Sequence, residues 1–512
     1  METTLKPHKE TVGTMVCIII SGPSLNEARE QVKKASLKAD LLEFRLDQFG
    51  FSQIEAIAHL KETTTLPVIF TLRSRSHGGE YKGDEQQRLE EIKKILVLEP
   101  DYIDLEYDVA LSFYPEVKRI SPETKLISSL HDFAHTPKDL QSVLDMMKKD
   151  YISLYKIAVM ANSCLDSMRM LRFIRDNAKK GLKLGCVCIG EQGIMTRILG
   201  PKFGNSLAFS VLHKDLVVAP GQLAIDELMG RYHLRTIGNE TAILGLIGDP
   251  VSKSPSHYTH NYVINDLGLN AVYVKISVQP QELHEFIDYA KKLNFLGLSV
   301  TMPLKKAVVS LVTEESPDSG IGAFNTLRLN QKKVEGANTD GIGALNAIEE
   351  FGLVEGKRVI ILGAGGAARA IAWEAKKRGA EVVILNRTVE NAAALAGSLD
   401  CKYGSLNEFS AYALQGYDIL VNSTSVGLFS EKTRLPIDAS NMLEEKVVLD
   451  VIPGKEETPF LQEAKNKHCT IINGNTMLML QAVEQFYFWF SNTISREELK
   501  KSFNEAFKTI RE

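Results

Sequence analysis

The chain has 512 residues, of which 44% are hydrophobic and 24% charged, and a net charge of −4 at neutral pH. That length exceeds what one ordinary core organises, so two or three domains are expected. The near-balanced charge and the lack of a Lys/Arg-rich arm exclude a nucleic-acid-binding class, and no uninterrupted apolar run is long enough to span a bilayer.

The first residues, METTLKPHKETVGT, lack the apolar core of a secretory signal; with two glutamates and no arginine they also make a poor transit peptide. The six cysteines form no CxxC pair and read as buried thiols of a reducing compartment, so a cytoplasmic protein is expected. Eight short apolar runs follow: VCIII from Val16, DLLEFRL from Asp40, PVIFTLR from Pro67, DYIDLEY from Asp101, KLISSLH from Lys125, YISLYKI from Tyr151, KLGCVCI from Lys183 and SLAFSVL from Ser206. Amphipathic segments such as LNEAREQVKKA and PKDLQSVLDMMKK lie between most of them. Eight strands alternating with helices in roughly 230 residues match a (β/α)8 barrel. An open doubly wound sheet shares the alternation, but none of these runs leads into a glycine-rich phosphate loop.

In such a barrel the active site collects at the C-terminal strand ends. The chain places Glu43, Arg45, Asp47, Arg73, Glu106, His131, Lys156 and Arg197 there, with Gln222 in the APGQ turn after the last strand. One such charge would be a structural ion pair; several at one level point to a site. Lys156 interrupts the apolar SLYKIAVMA. An amine held among apolar side chains and near arginines loses proton affinity, and its neutral form attacks a ketone to make an imine. His131 can then remove the acidified proton and later protonate a leaving hydroxyl, while arginines match a carboxylate. An aldolase would use the same parts, so spacing leaves the reaction open.

DLLEFRLD, TLRSRSHGGE, SLHDF, LYKIA, GIMTRILG and VAPGQ, in this order, resemble type I 3-dehydroquinate dehydratase over about 16–228. The resemblance implies that Lys156 forms the imine and His131 is the general acid/base. Glu43, Arg45, Arg73, Arg197 and Gln222 would hold the hydroxylated ring and its carboxylate. Two positions depart from the family: His77 stands where a glutamate usually supports the histidine, and Val218 where Ser or Thr often contacts the carboxylate.

After RYHLRTIGNET a new pattern begins, and the boundary falls near 235–240. In VIILGAGGAARAIAWEA a strand leads through Gly363, Gly365, Gly366 and Ala367 into a helix, which lets the backbone approach a pyrophosphate at the helix N-terminus. The next strand ends in Asn386, Arg387 and Thr388. An arginine there suits a 2′-phosphate, so NADP is expected; a surface arginine is the alternative. Upstream, SVTMPLKKAV carries Lys305, GAFNTL carries Asn325 and GANTDGIGA carries Asp340.

The ordered motifs GDP…SxS, SVTMPLK, GAFNTL, NTDGxG, GAGGAA, NRT, NSTSVG and MLMLQAVEQF resemble shikimate dehydrogenase over about 243–490. The resemblance implies that Lys305 and Asp340 move the proton while the nicotinamide moves the hydride. Asn325, Thr301 and Gln481 would bind ring hydroxyls. The string SKSP would assign the serine pair to Ser252 and Ser254. Aligning GDPV and HN without a gap selects Ser254 and Ser256 instead, with His260 in a matching place, and needs no deletion in a tight loop. Ser299 replaces an asparagine common in bacterial members, and Pro453 a tyrosine near the substrate.

The whole chain resembles a plant-like or chlamydial fusion of the two enzymes. This implies a (β/α)8 TIM barrel over 1–236, a substrate-binding subdomain over 237–341, a Rossmann NADP-binding subdomain over 342–475, and C-terminal helices over 476–512 that pack back on the substrate subdomain. Dehydration of 3-dehydroquinate through a Schiff base, without a metal, would feed reduction of 3-dehydroshikimate by NADPH to shikimate. A catalytically impaired regulator built from the same modules, or a quinate dehydrogenase in the second half, are the alternatives. The expected partners are small molecules, with no nucleic acid and no membrane, and the expected state is monomer or homodimer.

Overall fold

All eight apolar runs form strands: β1 (Met15–Ile20), β2 (Leu41–Arg45), β3 (Val68–Thr71), β4 (Tyr102–Glu106), β5 (Lys125–Asp132), β6 (Ile152–Met160), β7 (Leu184–Ile189) and β8 (Leu207–Val211). The structure, a computed structural model, describes residues 13–50, 52–314, 319–426, 435–454, 456–490 and 493–509. Most of the leader segment and Gly427 of the NSTSVG motif lie outside them. The eight strands form one parallel sheet of order β7-β6-β5-β4-β3-β2-β1-β8. At the seam between β7 and β8, Ser206 N donates to Leu184 O at 2.7 Å. The Asn205 carboxamide also accepts from Cys186 N at 2.9 Å and donates to Cys186 O at 3.1 Å, a side-chain substitute for a backbone pair. This satisfies groups that an open edge would leave bare.

Side chains alternate along each strand, so residues two apart share a face. Cys17, Ile19, Leu41, Ile69, Ile127, Leu154, Leu207, Phe209 and Val211 form one buried cluster filling the barrel. The same parity carries Glu43, Asp104, Glu106, Ser129, His131 and Lys156 toward the C-terminal ends. The barrel's helices begin where the sequence supplies caps. Ser24 accepts from Glu27 N to open Leu25–Ala35, and Ser163 with Asp166 makes a reciprocal cap for Cys164–Ala178.

Eleven more strands are described: β9 (Ala242–Gly248), β10 (Ala271–Ser277), β11 (Phe295–Val300), β12 (Thr326–Leu329), β13 (Val334–Ala337), β14 (Arg358–Leu362), β15 (Glu381–Asn386), β16 (Lys402–Ser405), β17 (Ile419–Asn422), β18 (Val447–Asp450) and β19 (Thr470–Ile472). The first five form a sheet of order β10-β9-β11-β12-β13, antiparallel between β11 and β12 and between β12 and β13. The last six form a parallel sheet of order β16-β15-β14-β17-β18-β19, with the first crossover at β14, as in a doubly wound nucleotide-binding fold. The chain divides into two compact units. One is the stretch up to Ile243 with Gly268–Leu293; the other is Leu244–Leu267 with the stretch from Asn294 onward.

Among the cysteines, Cys17, Cys164, Cys186, Cys188 and Cys469 are buried and unpaired, whereas Cys401 is half-buried rather than sealed in the core. No described helix is long and apolar enough to cross a membrane.

Candidate active sites

Lys156 lies on β6 facing the barrel interior, its ammonium 4.1 Å from the centre of the Phe209 ring. Its Nζ donates to Glu43 Oε1 at 2.8 Å and to Asp104 Oδ2 at 2.9 Å. The sequence led us to expect an amine among apolar groups and arginines. The structure corrects that: two carboxylates bracket it directly, because β2, β4 and β6 all turn their inward parity toward one level. Arg73 completes the cluster, donating to Asp104 Oδ2 at 2.7 Å and to Ser129 Oγ at 2.7 Å. Burial opposes the charge on Asp104, but Arg73 and Lys156 hold its carboxyl well below the usual carboxylate range. Asp104 was not singled out from the sequence. The signal was present, since it precedes Glu106 by two residues and therefore shares its face.

Glu106 and Asp47 act as struts. Glu106 accepts from Ser74 N at 3.0 Å and pairs with Arg88 Nη1 at 2.9 Å. Asp47 accepts from Arg45 Nε at 3.0 Å and from Glu80 N at 3.1 Å, which fixes where the Arg45 guanidinium points. Arg197, on the short helix Ile194–Leu199, is buried; its Nε has no hydrogen-bond partner, and no carboxylate among the described residues offsets its charge. Burial pushes that guanidinium down to about 10. A buried cation without a counter-charge is a site matched to an anion.

His131, at the end of β5, lies alongside Phe133 with ring centres 6.3 Å apart. Burial, with the charges of Arg73 and Lys156, holds its imidazole well below its ordinary value, so it is a neutral base at pH 7. His77 stands 4.0 Å from Asp108 Oδ1, and a Cβ added to the adjacent Gly78 would meet the Phe133 ring at 2.3 Å. The loop carrying His77 therefore backs onto the ring beside His131. Gln222 Oε1 accepts from Val218 N at 2.8 Å and Ala219 N at 3.2 Å, which leaves its amide nitrogen to donate. The Val218 side chain packs on the barrel cluster.

In the second unit Lys305 pairs directly with Asp340 Oδ2. Asp340 is in the first turn of the helix Thr339–Glu349, where the exposed N–H ends favour a carboxylate, and Asn338 Oδ1 caps that turn by accepting from Asp340 N at 3.1 Å. Asn325 Nδ2 lies 2.8 Å from Asp340 Oδ1, 2.9 Å from Thr339 Oγ1 and 3.3 Å from Gln481 Oε1. Lys305, Asn325, Asp340 and Gln481 thus converge, and Thr339, not named from sequence, joins them. Gln481 reaches this point because helix Gly474–Phe490 approaches closely: a Cβ on Gly343 would sit 2.6 Å from Gln481 N. Ser299 donates to Gln485 Oε1 at 2.8 Å, and Gln485 donates to Asn325 O at 3.2 Å, so the serine supports the network from behind.

Ser254 and Ser256 hydroxyls are 3.0 Å apart, at the start of the helix Ser256–Asp266. Asp249 N donates to Met302 O at 2.9 Å, which ties the start of that loop to the turn carrying Thr301. Thr301 itself donates its N–H to Ile247 O at 2.9 Å and is half-buried; no hydrogen bond joins it to the Lys305–Asp340 pair. Pro453 is exposed.

At the dinucleotide turn Gly363 has φ +108°, a conformation that excludes most side chains. A Cβ at Gly365 or Gly366 would meet nothing within 4 Å, so the N-terminus of the helix Gly366–Lys377 has open space in front of it. Ala367 follows in that first turn. At the end of β15, Asn386 Nδ2 donates to Thr388 O at 2.9 Å, and the exposed Arg387 has no ion-pair partner among the described residues. An open helix N-terminus with an unpaired arginine beside the neighbouring strand fits a dinucleotide bearing a 2′-phosphate.

The type I 3-dehydroquinase family model matches residues 16–239, the shikimate dehydrogenase substrate-binding model 246–327, and the shikimate/quinate 5-dehydrogenase model 346–448. The chain is 34% identical to a chloroplastic bifunctional 3-dehydroquinate dehydratase/shikimate dehydrogenase of Arabidopsis thaliana, over 92% of this chain and 81% of the relative. It is 32% identical to the shikimate biosynthesis protein AroDE of Chlamydia pneumoniae, over 94% of this chain and 97% of the relative. It is 42% identical to the NADP(+) shikimate dehydrogenase of Methanocaldococcus jannaschii, over 49% of this chain and 93% of the relative.

Proposed function

The chain belongs to the family of bifunctional 3-dehydroquinate dehydratase/shikimate dehydrogenases, and from that premise we propose how its residues divide the work. It dehydrates 3-dehydroquinate to 3-dehydroshikimate and reduces that ketone to shikimate with NADPH. The observation that carries the division is that in each unit the lysine of the recognised motif is held largely away from solvent against carboxylates: Lys156 with Glu43 and Asp104, and Lys305 with Asp340.

In the barrel, Arg197 receives the substrate carboxylate, and Glu43, Arg45, Arg73 and Gln222 orient the ring. Lys156 passes a proton to a flanking carboxylate, attacks the ketone and becomes an iminium, which acidifies the neighbouring carbon. His131, kept neutral by burial and nearby cations, takes that proton and returns it to the departing hydroxyl. In the second unit Lys305 delivers the proton to the reduced oxygen and Asp340 holds the lysine in place, with Asn325, Gln481 and Thr301 fixing the ring hydroxyls and Ser254 and Ser256 the carboxylate. Gly363, Gly365, Gly366 and Ala367 would hold the dinucleotide pyrophosphate and Asn386, Arg387 and Thr388 its ribose phosphate; when bound, NADPH supplies the hydride.

Two measurements on the full chain test this. Borohydride with 3-dehydroquinate should add the reduced ligand to a peptide containing Lys156, and 3-dehydroshikimate should drive NADPH oxidation. An unmodified mass, or no oxidation by folded protein, overturns the assignment at that unit.

A further inference from the structure

Six buried ionised groups alternate in sign across the barrel. Arg88 meets Glu106 at 2.9 Å, Glu106 meets Arg73 at 3.4 Å, Arg73 meets Asp104 at 2.7 Å, Asp104 meets Lys156 at 2.9 Å, and Lys156 meets Glu43 at 2.8 Å. Three cations and three carboxylates balance within this row, and Lys156 carries one of the positive charges.

Imine formation preserves that charge. R–NH3+ and O=CR2 give R–NH+=CR2 and H2O: the carbon–oxygen double bond is replaced by carbon–nitrogen, and two of the three ammonium hydrogens leave with the ketone oxygen as water. The iminium keeps a single N–H. It can therefore retain one of the two carboxylates that Lys156 now holds, and the other must lose its bond to the nitrogen.

The two carboxylates are not equivalent. Asp104 is locked: its Oδ2 is shared between Lys156 and Arg73, and Arg73 is itself fixed by Ser129 and Glu106. Moving Asp104 would take from the buried Arg73 guanidinium its shorter carboxylate contact and leave only Glu106 at 3.4 Å, which is costly. Its Oδ1 is buried with no hydrogen-bond partner, an open acceptor beside the reacting nitrogen. Among the described residues Glu43 has only the neutral Thr71 hydroxyl, donating at 2.8 Å, besides Lys156. We propose that Asp104 is the counter-ion that stays on the nitrogen of Lys156 through the covalent stage, and that Glu43 is the carboxylate released to a hydroxyl of the substrate. Arg88 and Glu106 are positioning residues: they reach the reaction only through Arg73. This inference rests on Lys156 being the imine-forming residue.

The test compares Asp104→Asn and Glu43→Gln with the unaltered chain. Asp104→Asn should slow borohydride trapping with 3-dehydroquinate roughly 100-fold, the scale of losing one preorganised electrostatic contact to a developing charge. Its trapping should also shift to lower pH, because the iminium loses its proton more readily without the anion. Glu43→Gln should slow trapping less than Asp104→Asn does, with its loss expressed mainly as a higher KM. Circular dichroism and thermal unfolding of the full chain report folding of the barrel in each variant, and NADPH oxidation with 3-dehydroshikimate reports the other unit. Arg73→Lys, which keeps the cation beside Asp104, should trap faster than Asp104→Asn. Equal trapping by Asp104→Asn and the unaltered chain, or a larger loss in Glu43→Gln than in Asp104→Asn, overturns the proposal. Failure of the unaltered chain to trap would instead overturn the Lys156 reading beneath it.

Discussion

Ser256 begins a helix, its hydroxyl faces Ser254 at 3.0 Å, and Ser256 N donates to Ser254 Oγ at 3.3 Å. Two hydroxyls held this close present a paired donor-acceptor surface to a ligand carboxylate, which is the role we propose for them rather than for Ser252. Ser256→Ala should raise KM for shikimate about tenfold, the scale of one lost hydrogen bond to a charged group, with little change in kcat. Ser252→Ala should leave KM within a factor of two, by the same scale. Steady-state kinetics in the direction of shikimate oxidation checks both, and the reverse ranking would restore the gapped register. At this scale residue type was legible where chemistry is rare. Lys156 in an apolar run and the lone Arg387 after a strand stood out, whereas Asp104 hid behind its neighbour Glu106. Both acids share one face of β4, and only their partners show that Glu106 is a strut and Asp104 touches the amine.

The helix Ser256–Asp266 shows an element deciding what a residue does. His260, aligned with a family position beside the serines, is buried, its ring 5.4 Å from Phe486 and 5.5 Å from Phe503, both on the two C-terminal helices Gly474–Phe490 and Arg496–Thr509. Ser502 Oγ also donates to Asp266 Oδ2 at 2.6 Å, and Trp489 Nε1 donates to Leu327 O at 2.9 Å. These helices close over β12 and the serine helix, and His260 belongs to that packing. Burial pushes it down to about 3, against an ordinary value near 6.5 when unfolded. Between those values the unfolded chain binds the proton and the folded chain does not. His260 thus favours folding fully above about pH 6.5, and that contribution falls as pH drops toward 3, by up to about 1.4 kcal/mol per pH unit. Denaturation midpoints of the dehydrogenase unit, followed from pH 7 to pH 5, should fall more steeply for the unaltered chain than for His260→Asn; parallel slopes would mean that the ring is solvated.

For the whole molecule, each unit carries its own lysine and its own carboxylates, so the two reactions should separate cleanly. Lys156→Ala should retain NADPH oxidation with 3-dehydroshikimate and lose conversion of 3-dehydroquinate, and Lys305→Ala should do the reverse. Mixing the two variants should restore conversion of 3-dehydroquinate to shikimate, followed by loss of NADPH absorbance. Loss of both activities in either single variant would show that the units do not work independently. The sequence by itself determined the eight barrel strands, the dinucleotide turn and the order of the two enzymes. Those signals are local: short apolar runs, a strand running into glycines, and motifs a few residues long. Only the tertiary structure decided that Lys156 sits between two acids, that Arg197 is buried without a counter-charge, and that the Asn205 side chain bridges the barrel seam. Each of those joins residues distant along the chain. Strand parity says which way a side chain points, but closure of the sheet sets which side chains it meets.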